Sequence, residues 1–265
     1  MIDSLKKAMA EVKCFLLDLD GTVYLEGELI GDMKGTLDFI RKSGRRIVYL
    51  TNNSSRSRDV YVKRLTDMGI YDSRDTVFTS GMSTIGHLNR EHEGKSVYLM
   101  GTNALKTEFL DGGVKLVEDK PDIVVISYDT EINYEKITKV THFLAQGVKY
   151  ITTHGDMLCP AKINYLPDVG TYADMFYTAT GRRPEINCGK PYEVMGESIM
   201  SLLGLKPHEI IMCGDRLSTD IAFGVNNGFY SLLVWSGETD KKAYEESSVR
   251  ASFTLDDLNC IREYL

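Results

Sequence analysis

Two aspartates one residue apart, Asp18 and Asp20, follow directly on the apolar run CFLL. Bare carboxylates at that spacing repel each other, and a divalent cation or a shared proton relieves the repulsion. Gly21 then lets the chain leave the run in a conformation other residues resist, so that backbone groups approach a ligand. Taken alone, Asp-x-Asp-Gly also reads as an ordinary turn. An EF-hand is excluded, because the third oxygen ligand, the correctly placed glycine and the terminal Glu are missing.

Three further groups repeat this placement. Thr51-Asn52-Asn53-Ser54-Ser55 follows the apolar run RIVYL and offers a hydroxyl, two amides and turn N–H groups, a cradle for phosphate oxygens or an N-cap cluster. Gly189-Lys190-Pro191 opens the stretch YEVMGESIMSLLG, with Pro191 suited to a first helical turn and Gly189 freeing the loop so that Lys190 reaches inward. A solvated surface lysine is the ordinary alternative. A P-loop is excluded, since Pro184 stands five residues before Gly189 and no Ser or Thr follows Lys190. Gly214-Asp215-Arg216-Leu217-Ser218-Thr219-Asp220 follows EIIMC. Asp215 has the strand-end claim to a metal, whereas Asp220 by itself favours a helix dipole. Two acids, a hydroxyl–amide cradle, a lysine-bearing loop and another acid form the inventory of phosphoryl transfer, which consists largely of positioning and charge neutralisation.

The elements that must position these groups alternate along the chain. The short apolar runs at 14–17, 46–50, 209–213 and 230–235 predict strands covered on both faces, as in a parallel sheet. Amphipathic stretches at 36–44, 57–69 and 192–204 predict helices ending at Gly44, Gly69 and Gly204, and 254–265 predicts a closing helix. The middle repeats the pattern, with strands at 96–101, 122–127 and 148–153 and helices at 103–113, 133–147 and near 169–181. The fold expected is α/β: a doubly wound parallel-sheet core from residues 1–80 and 185–265, with an inserted α/β domain over 81–184.

Bulk properties narrow the partners. At 265 residues with 43% hydrophobic and 26% charged residues, the chain suits a globular fold with a sizeable core. A net charge of -7 argues against nucleic acid or an anionic membrane as partner, but not against a small anion in a locally cationic cleft. Cys14, Cys159, Cys188, Cys213 and Cys260 are scattered and read as reduced thiols. The stretch MIDSLKKAMAEVK shows no signal-peptide pattern, and no apolar run nears the roughly 18 residues of a membrane span, so a soluble cytoplasmic protein is expected.

In that order, DLDGT, TNNSS, GKP and GDRLSTD resemble the four motifs of the haloacid dehalogenase (HAD) superfamily. The start DGTVYLEGELI, the TNNSS form of the second motif and the position of the insert are similar to the NagD-like, p-nitrophenyl phosphatase branch with a class-II α/β cap. The likeness covers essentially the whole chain. It implies that Asp18 is a nucleophile forming an aspartyl phosphate, and Asp20 the general acid and then the base for water. It implies Mg²⁺ on the Asp18 carboxylate, the Asp20 backbone carbonyl and Asp215. Thr51 and Asn52 would hold phosphate oxygens with Asn53 adjacent, and Lys190 would bridge phosphate and Asp18. Asp220 would orient Lys190 or the metal waters, with Gly21 and Gly214 beside the ligands.

The implied activity is hydrolysis of a small cytosolic phosphomonoester of the sugar phosphate, nucleotide monophosphate or phosphoglycolate class. A phosphotransferase or mutase would use the same chemistry but resembles enzymes with a small helical cap. A non-enzymatic ligand-binding module is expected to lose Asp18, Asp20 or Lys190, and all are present. Dehalogenation is disfavoured by the acid at Asp20. The family likeness makes the loop-like segment 153–171 the candidate specificity loop, with His154, Asp156, Asn164 and Asp168 as polar contacts, although an ordinary loop or N-cap role carries more weight for each. His87 and His92 read as surface residues, and Tyr172 and Tyr177 as cap core or interface. The cap surface is a candidate homodimer contact.

Overall fold

The structure, a computed structural model, describes residues 2–160 and 164–265. Along the chain it runs α1 (Ile2–Glu11), β1 (Cys14–Leu17), β2 (Tyr24–Leu25), β3 (Glu28–Leu29), α2 (Met33–Lys42), β4 (Arg46–Thr51), α3 (Arg58–Asp67) and β5 (Thr76–Thr79). It continues through α4 (Ser80–Glu91), β6 (Ser96–Met100), α5 (Asn103–Asp111), β7 (Lys115–Leu116), β8 (Ile123–Ile126), α6 (Tyr134–Ala145) and β9 (Lys149–Thr152). After β10 (Leu158–Pro160), β11 (Tyr165–Pro167), α7 (Val169–Thr180) and β12 (Ile186–Asn187) come α8 (Glu193–Leu203), β13 (Ile210–Gly214) and α9 (Ala222–Asn226). The last elements are β14 (Tyr230–Val234), α10 (Lys241–Glu246), β15 (Phe253–Leu255) and a 3₁₀ helix, Leu258–Glu263. No helix among the described residues is long and apolar enough to cross a membrane.

Two compact units emerge. The first comprises Met1–Thr51, Asp59–Phe78 and Lys190–Leu265. Its sheet has the strand order β15-β14-β13-β1-β4-β5, with parallel pairing across every junction from β15 to β4. All four residues of β1 and all five of β13 are buried, which explains why those runs are uninterrupted in the sequence. Burying a side chain such as Phe15 or Leu17 contributes about 1.5–3 kcal/mol. On α2, Met33, Leu37 and Ile40 recur at helical spacing and are all buried in the same core. Its N-cap Asp32 accepts from the Gly35 N–H at 3.1 Å, and Gly44 follows the helix with φ 81°. The order places β1 at a switch point, with successive strands leading away on either side of it. Ligands on open α/β sheets bind outside the carboxyl ends of strands at such a point.

The second unit comprises Asn52–Arg58 and Thr79–Gly189. Its five-stranded sheet, β12-β9-β8-β6-β7, is parallel throughout. Tyr98, Phe143, Tyr150, Tyr172 and Phe176 belong to its core. Asp168 caps α7 by accepting from the Val169 N–H at 2.7 Å, and Gly181 ends that helix at φ 71°.

Several expectations need correcting. Residues 52–58 pack with the second unit, and β12 pairs with β9, so that unit reaches Gly189, beyond the boundary expected at 184. The closing helix over 254–265 is instead a short strand and a 3₁₀ helix, because β15 adds to the edge of the first sheet. The segment 153–171 contains an antiparallel hairpin, β10–β11; residues 161–163 of it lie outside the described residues. His87 is buried, since it lies on the inner face of α4, and its Nε2 has no partner among the described residues. Tyr172 is in the core, whereas Tyr177 is exposed beneath the Arg183 guanidinium, 4.0 Å from its ring centroid. The cysteines form no disulfide among the described residues: Cys14, Cys188 and Cys213 are buried, Cys159 and Cys260 half-buried.

Candidate active site

In the first unit the ends of β1 and β13 bring their acids together. Asp18 follows β1, its N–H donating to the Cys213 carbonyl at 2.9 Å, which extends the β1–β13 pairing by one residue. Asp215 follows β13. Carboxylate oxygens of Asp18, Asp215 and Asp220 all lie within 4.8 Å of one another. Lys190 Nζ, although 2% exposed, donates to Asp18 Oδ1 at 2.5 Å and to Asp220 Oδ1 at 2.6 Å. Of the three clustered carboxylates, two are bonded to this one ammonium.

Electrostatics follow from that imbalance. Burial raises the Asp18 pKa, and Asp220 raises it further, against the lowering effect of Lys190. Burial also pushes Asp215 up to about 7, with Asp220 adding to the shift. Burial alone would lower the Lys190 pKa, but Asp18 and Asp220 outweigh it and hold the ammonium charged.

Glycines make the close approach possible. At Gly21 (φ 85°) a side chain would run into the Asp215 carboxylate, and at Gly214 into Asp220. Asp220 lies in a π-helical turn, Leu217–Ile221, fully buried, and its Oδ2 accepts from the Arg216 N–H at 3.1 Å. Both its oxygens are therefore committed. Asp215 Oδ2 accepts from the Glu238 N–H at 2.7 Å, while its buried Oδ1 has no donor among the described residues. An orphaned buried carboxylate oxygen beside a second carboxylate fits a hard divalent cation that prefers oxygen ligands. The Asp20 side chain is exposed, and the Gly21 N–H donates to the Tyr24 carbonyl at 2.8 Å.

The loop after β14 also borders the cluster, a role that none of the four motifs covers. Ser236 Oγ donates to the Gly21 carbonyl at 2.7 Å, and Gly237 packs so closely on Asp215 that a Cβ would collide with it. The signal was present, because SGE follows the apolar run YSLLVW as the other motifs follow theirs. Pro191 is also placed differently: it precedes the N-cap Tyr192, and α8 starts at Glu193.

Thr51 ends β4 and is 8% exposed. In the second unit, Asn52 Nδ2 donates to both oxygens of Asp156, at 3.2 Å each. Asn53 turns back on its own loop, its Oδ1 accepting from the Ser55 N–H and Oγ at 3.0 and 2.7 Å. His154 is fully buried, with Nε2 3.0 Å from Asp168 Oδ1 and Nδ1 3.1 Å from Thr153 Oγ1. Oxygen and nitrogen atoms of His154, Asp156 and Asp168 lie within 4.8 Å of one another, but His154 and Asp168 already satisfy each other. Asn164 is exposed. Gly189 does not need unusual dihedrals. It needs space, because a Cβ there would lie 2.6 Å from His154 Cβ and 2.7 Å from Asn52 Oδ1.

The chain is similar to known proteins over nearly its whole length. Residues 15–115 match the family model of haloacid dehalogenase-like hydrolases, and residues 187–261 match a second HAD-hydrolase-like model. An acid sugar phosphatase of Staphylococcus epidermidis is 31% identical over 252 residues, 95% of this chain and 97% of that protein. A 4-nitrophenylphosphatase from Thermotoga maritima superposes with a TM-score of 0.93 at 33% identity, covering 98% of each chain. NagD from Escherichia coli K-12 superposes at 0.86 with 25% identity, over 94% of this chain and 97% of that one. The chain belongs to the haloacid dehalogenase-like hydrolases, in the branch of NagD and the p-nitrophenyl phosphatases.

Proposed function

We propose that this chain is a Mg²⁺-dependent phosphomonoesterase of small phosphorylated metabolites. The observation that carries the reading is the set of three clustered carboxylates at the ends of β1 and β13, two of them bonded to Lys190, with Asp215 Oδ1 left without a donor among the described residues. Such a set needs an added cation, and a phosphate ester needs one too.

Asp18 attacks phosphorus, the bond to the ester oxygen breaks, and Asp20 gives its proton to the leaving alkoxide. Asp20 then takes a proton from water, whose oxygen attacks the phosphorus. Inorganic phosphate leaves and the Asp18 carboxylate is restored. Lys190, held by Asp220, offsets charge on Asp18 and on the phosphate. Thr51 and Asn52 hold phosphate oxygens, with Asn53 adjacent. The Asp18 carboxylate, the Asp20 backbone carbonyl and Asp215 would bind Mg²⁺, which supplies positive charge to the phosphate oxygens. Asp220 serves better as the anchor of Lys190 than as a metal ligand, since both its oxygens are already bonded.

Sugar phosphates lead the candidate substrates, supported by the naming of the Staphylococcus relatives as acid sugar phosphatases; nucleotide monophosphates and phosphoglycolate follow. The test is phosphate release from p-nitrophenyl phosphate and a panel of these esters, with Mg²⁺ and then with chelator. Asp18→Asn should lower turnover at least about a thousandfold while the protein stays folded. Release that ignores the chelator, or survives in Asp18→Asn, would sink the mechanism.

A further inference from the structure

Asn52 is held from two sides within the second unit. It is 7% exposed, and its Nδ2 lies 3.2 Å from both oxygens of Asp156. Its Oδ1 lies against Gly189, so close that a Cβ there would sit 2.7 Å from it. Its backbone carbonyl accepts from Ser80 Oγ at 2.5 Å. A carboxamide can turn over with little change of shape, but only its nitrogen end can donate to a carboxylate, which accepts alone. Asp156 therefore selects which end of the amide faces which way.

The loop carrying Asp156 is itself tied to the segment carrying Asn52. Asp168 accepts from His154 Nε2, and His154 Nδ1 pairs with Thr153 Oγ1. Thr153 Oγ1 lies 2.9 Å from Ser54 Oγ, which accepts from the Tyr128 N–H at 3.0 Å. This chain of buried polar groups runs from the N-terminus of α7 to the residue two beyond Asn52. Fully satisfied networks of this kind hold one geometry.

We infer that Asp156 is a positioning residue that fixes the Asn52 carboxamide with its nitrogen end set to donate. The inference rests on the phosphatase reading, in which Asn52 holds a phosphate oxygen. Without Asp156 the nitrogen end loses the carboxylate that sets it, and its hold on the anion weakens.

Kinetics with p-nitrophenyl phosphate and sugar phosphates, and inhibition by inorganic phosphate, test this in Asp156→Ala and Asp156→Asn. In Asp156→Ala, every KM and the Ki of phosphate should rise about tenfold together, with kcat within about threefold. Asp156→Asn keeps an acceptor oxygen and should fall between that variant and the native protein. Added to Asn52→Ala, Asp156→Ala should have no further effect. Unchanged KM and Ki, additivity with Asn52→Ala, or KM changes confined to some esters with Ki unmoved would overturn the proposal. The side-chain amide protons of Asn52, followed by NMR, should exchange slowly in the native protein and fast in Asp156→Ala; equal exchange would overturn it too. A native protein that releases no phosphate counts against the phosphatase reading, and the amide exchange still decides the positioning.

Discussion

In the six-stranded unit, the polar groups gathered at the strand ends are charged and the acids outnumber the ammonium: Asp18, Asp215 and Asp220 cluster, and Lys190 bonds Asp18 and Asp220 alone of the three. In the five-stranded unit, the buried acids Asp129 and Asp168 each have their own partners. Asp129 pairs with Lys136 at 2.7 Å, and Asp168 with His154 and the Val169 N–H. Both units are parallel α/β layers with a closed apolar core, so the fold does not impose the difference. An unbalanced charge cluster costs stability, and a protein keeps one where a ligand supplies the missing charge. A balanced set of paired polar groups costs little and holds geometry. The first arrangement suits chemistry, and the second suits holding side chains still.

Lys190→Met should break the comparison most sharply. It leaves Asp18 and Asp220 buried without their cation and should destabilise the protein by about 3–5 kcal/mol, read from urea unfolding. Adding Asp220→Asn removes one of the stranded charges and should recover part of the loss; a Lys190→Met protein as stable as the native one would show that the cluster is not held by that ammonium. His154→Ala opens the paired chain of the second unit instead. Leaving Asp168 and Thr153 without their imidazole should cost a smaller amount, about 1–3 kcal/mol. A loss equal to that of Lys190→Met would erase the distinction between the units.

The smallest effect is a pH dependence in the second unit. Burial lowers the His87 pKa, and His92, Arg90 and Lys149 lower it further against Glu91. His92, 5.3 Å away ring to ring, is lowered by burial and by Lys149. Both imidazoles are thus harder to protonate folded than unfolded. Their contribution is complete above about pH 6.5, the unfolded value, and is lost as pH falls from there through the folded value. Urea midpoints should therefore drop between neutral pH and about pH 5.5, and His87→Gln should flatten that drop. An unchanged slope would remove His87 from the cause.

Much of the first unit is legible from residues alone. The runs that became β1, β4, β13 and β14 are continuous and apolar because both sheet faces are covered, and Gly44, Gly69 and Gly204 follow helices at positive φ. The sequence also points to Asp18, Lys190, Asp215 and Asp220, which the fold brings together. The loop Ser236–Gly237–Glu238 escaped although it too follows an apolar run, because one hydroxyl, a backbone N–H and the absence of a side chain carry its role and none of the three marks chemistry by residue type. The closing segment misled because helical spacing over twelve residues cannot register a sheet edge waiting for β15.

The sequence by itself determined which side chains stand at strand ends and that acids, amides and one lysine would be the chemistry available. Local periodicity and turn chemistry encode that much, since they act over a few residues. Only the tertiary structure decided that β1 would lie at the switch point between β13 and β4, and that one ammonium would serve two of three acids. It alone decided that residues 52–58 would pack with the second unit, where Asp156 meets Asn52 across 104 positions of sequence. Those outcomes depend on pairings between segments far apart in the chain, and no local pattern specifies which distant partner a strand end will meet.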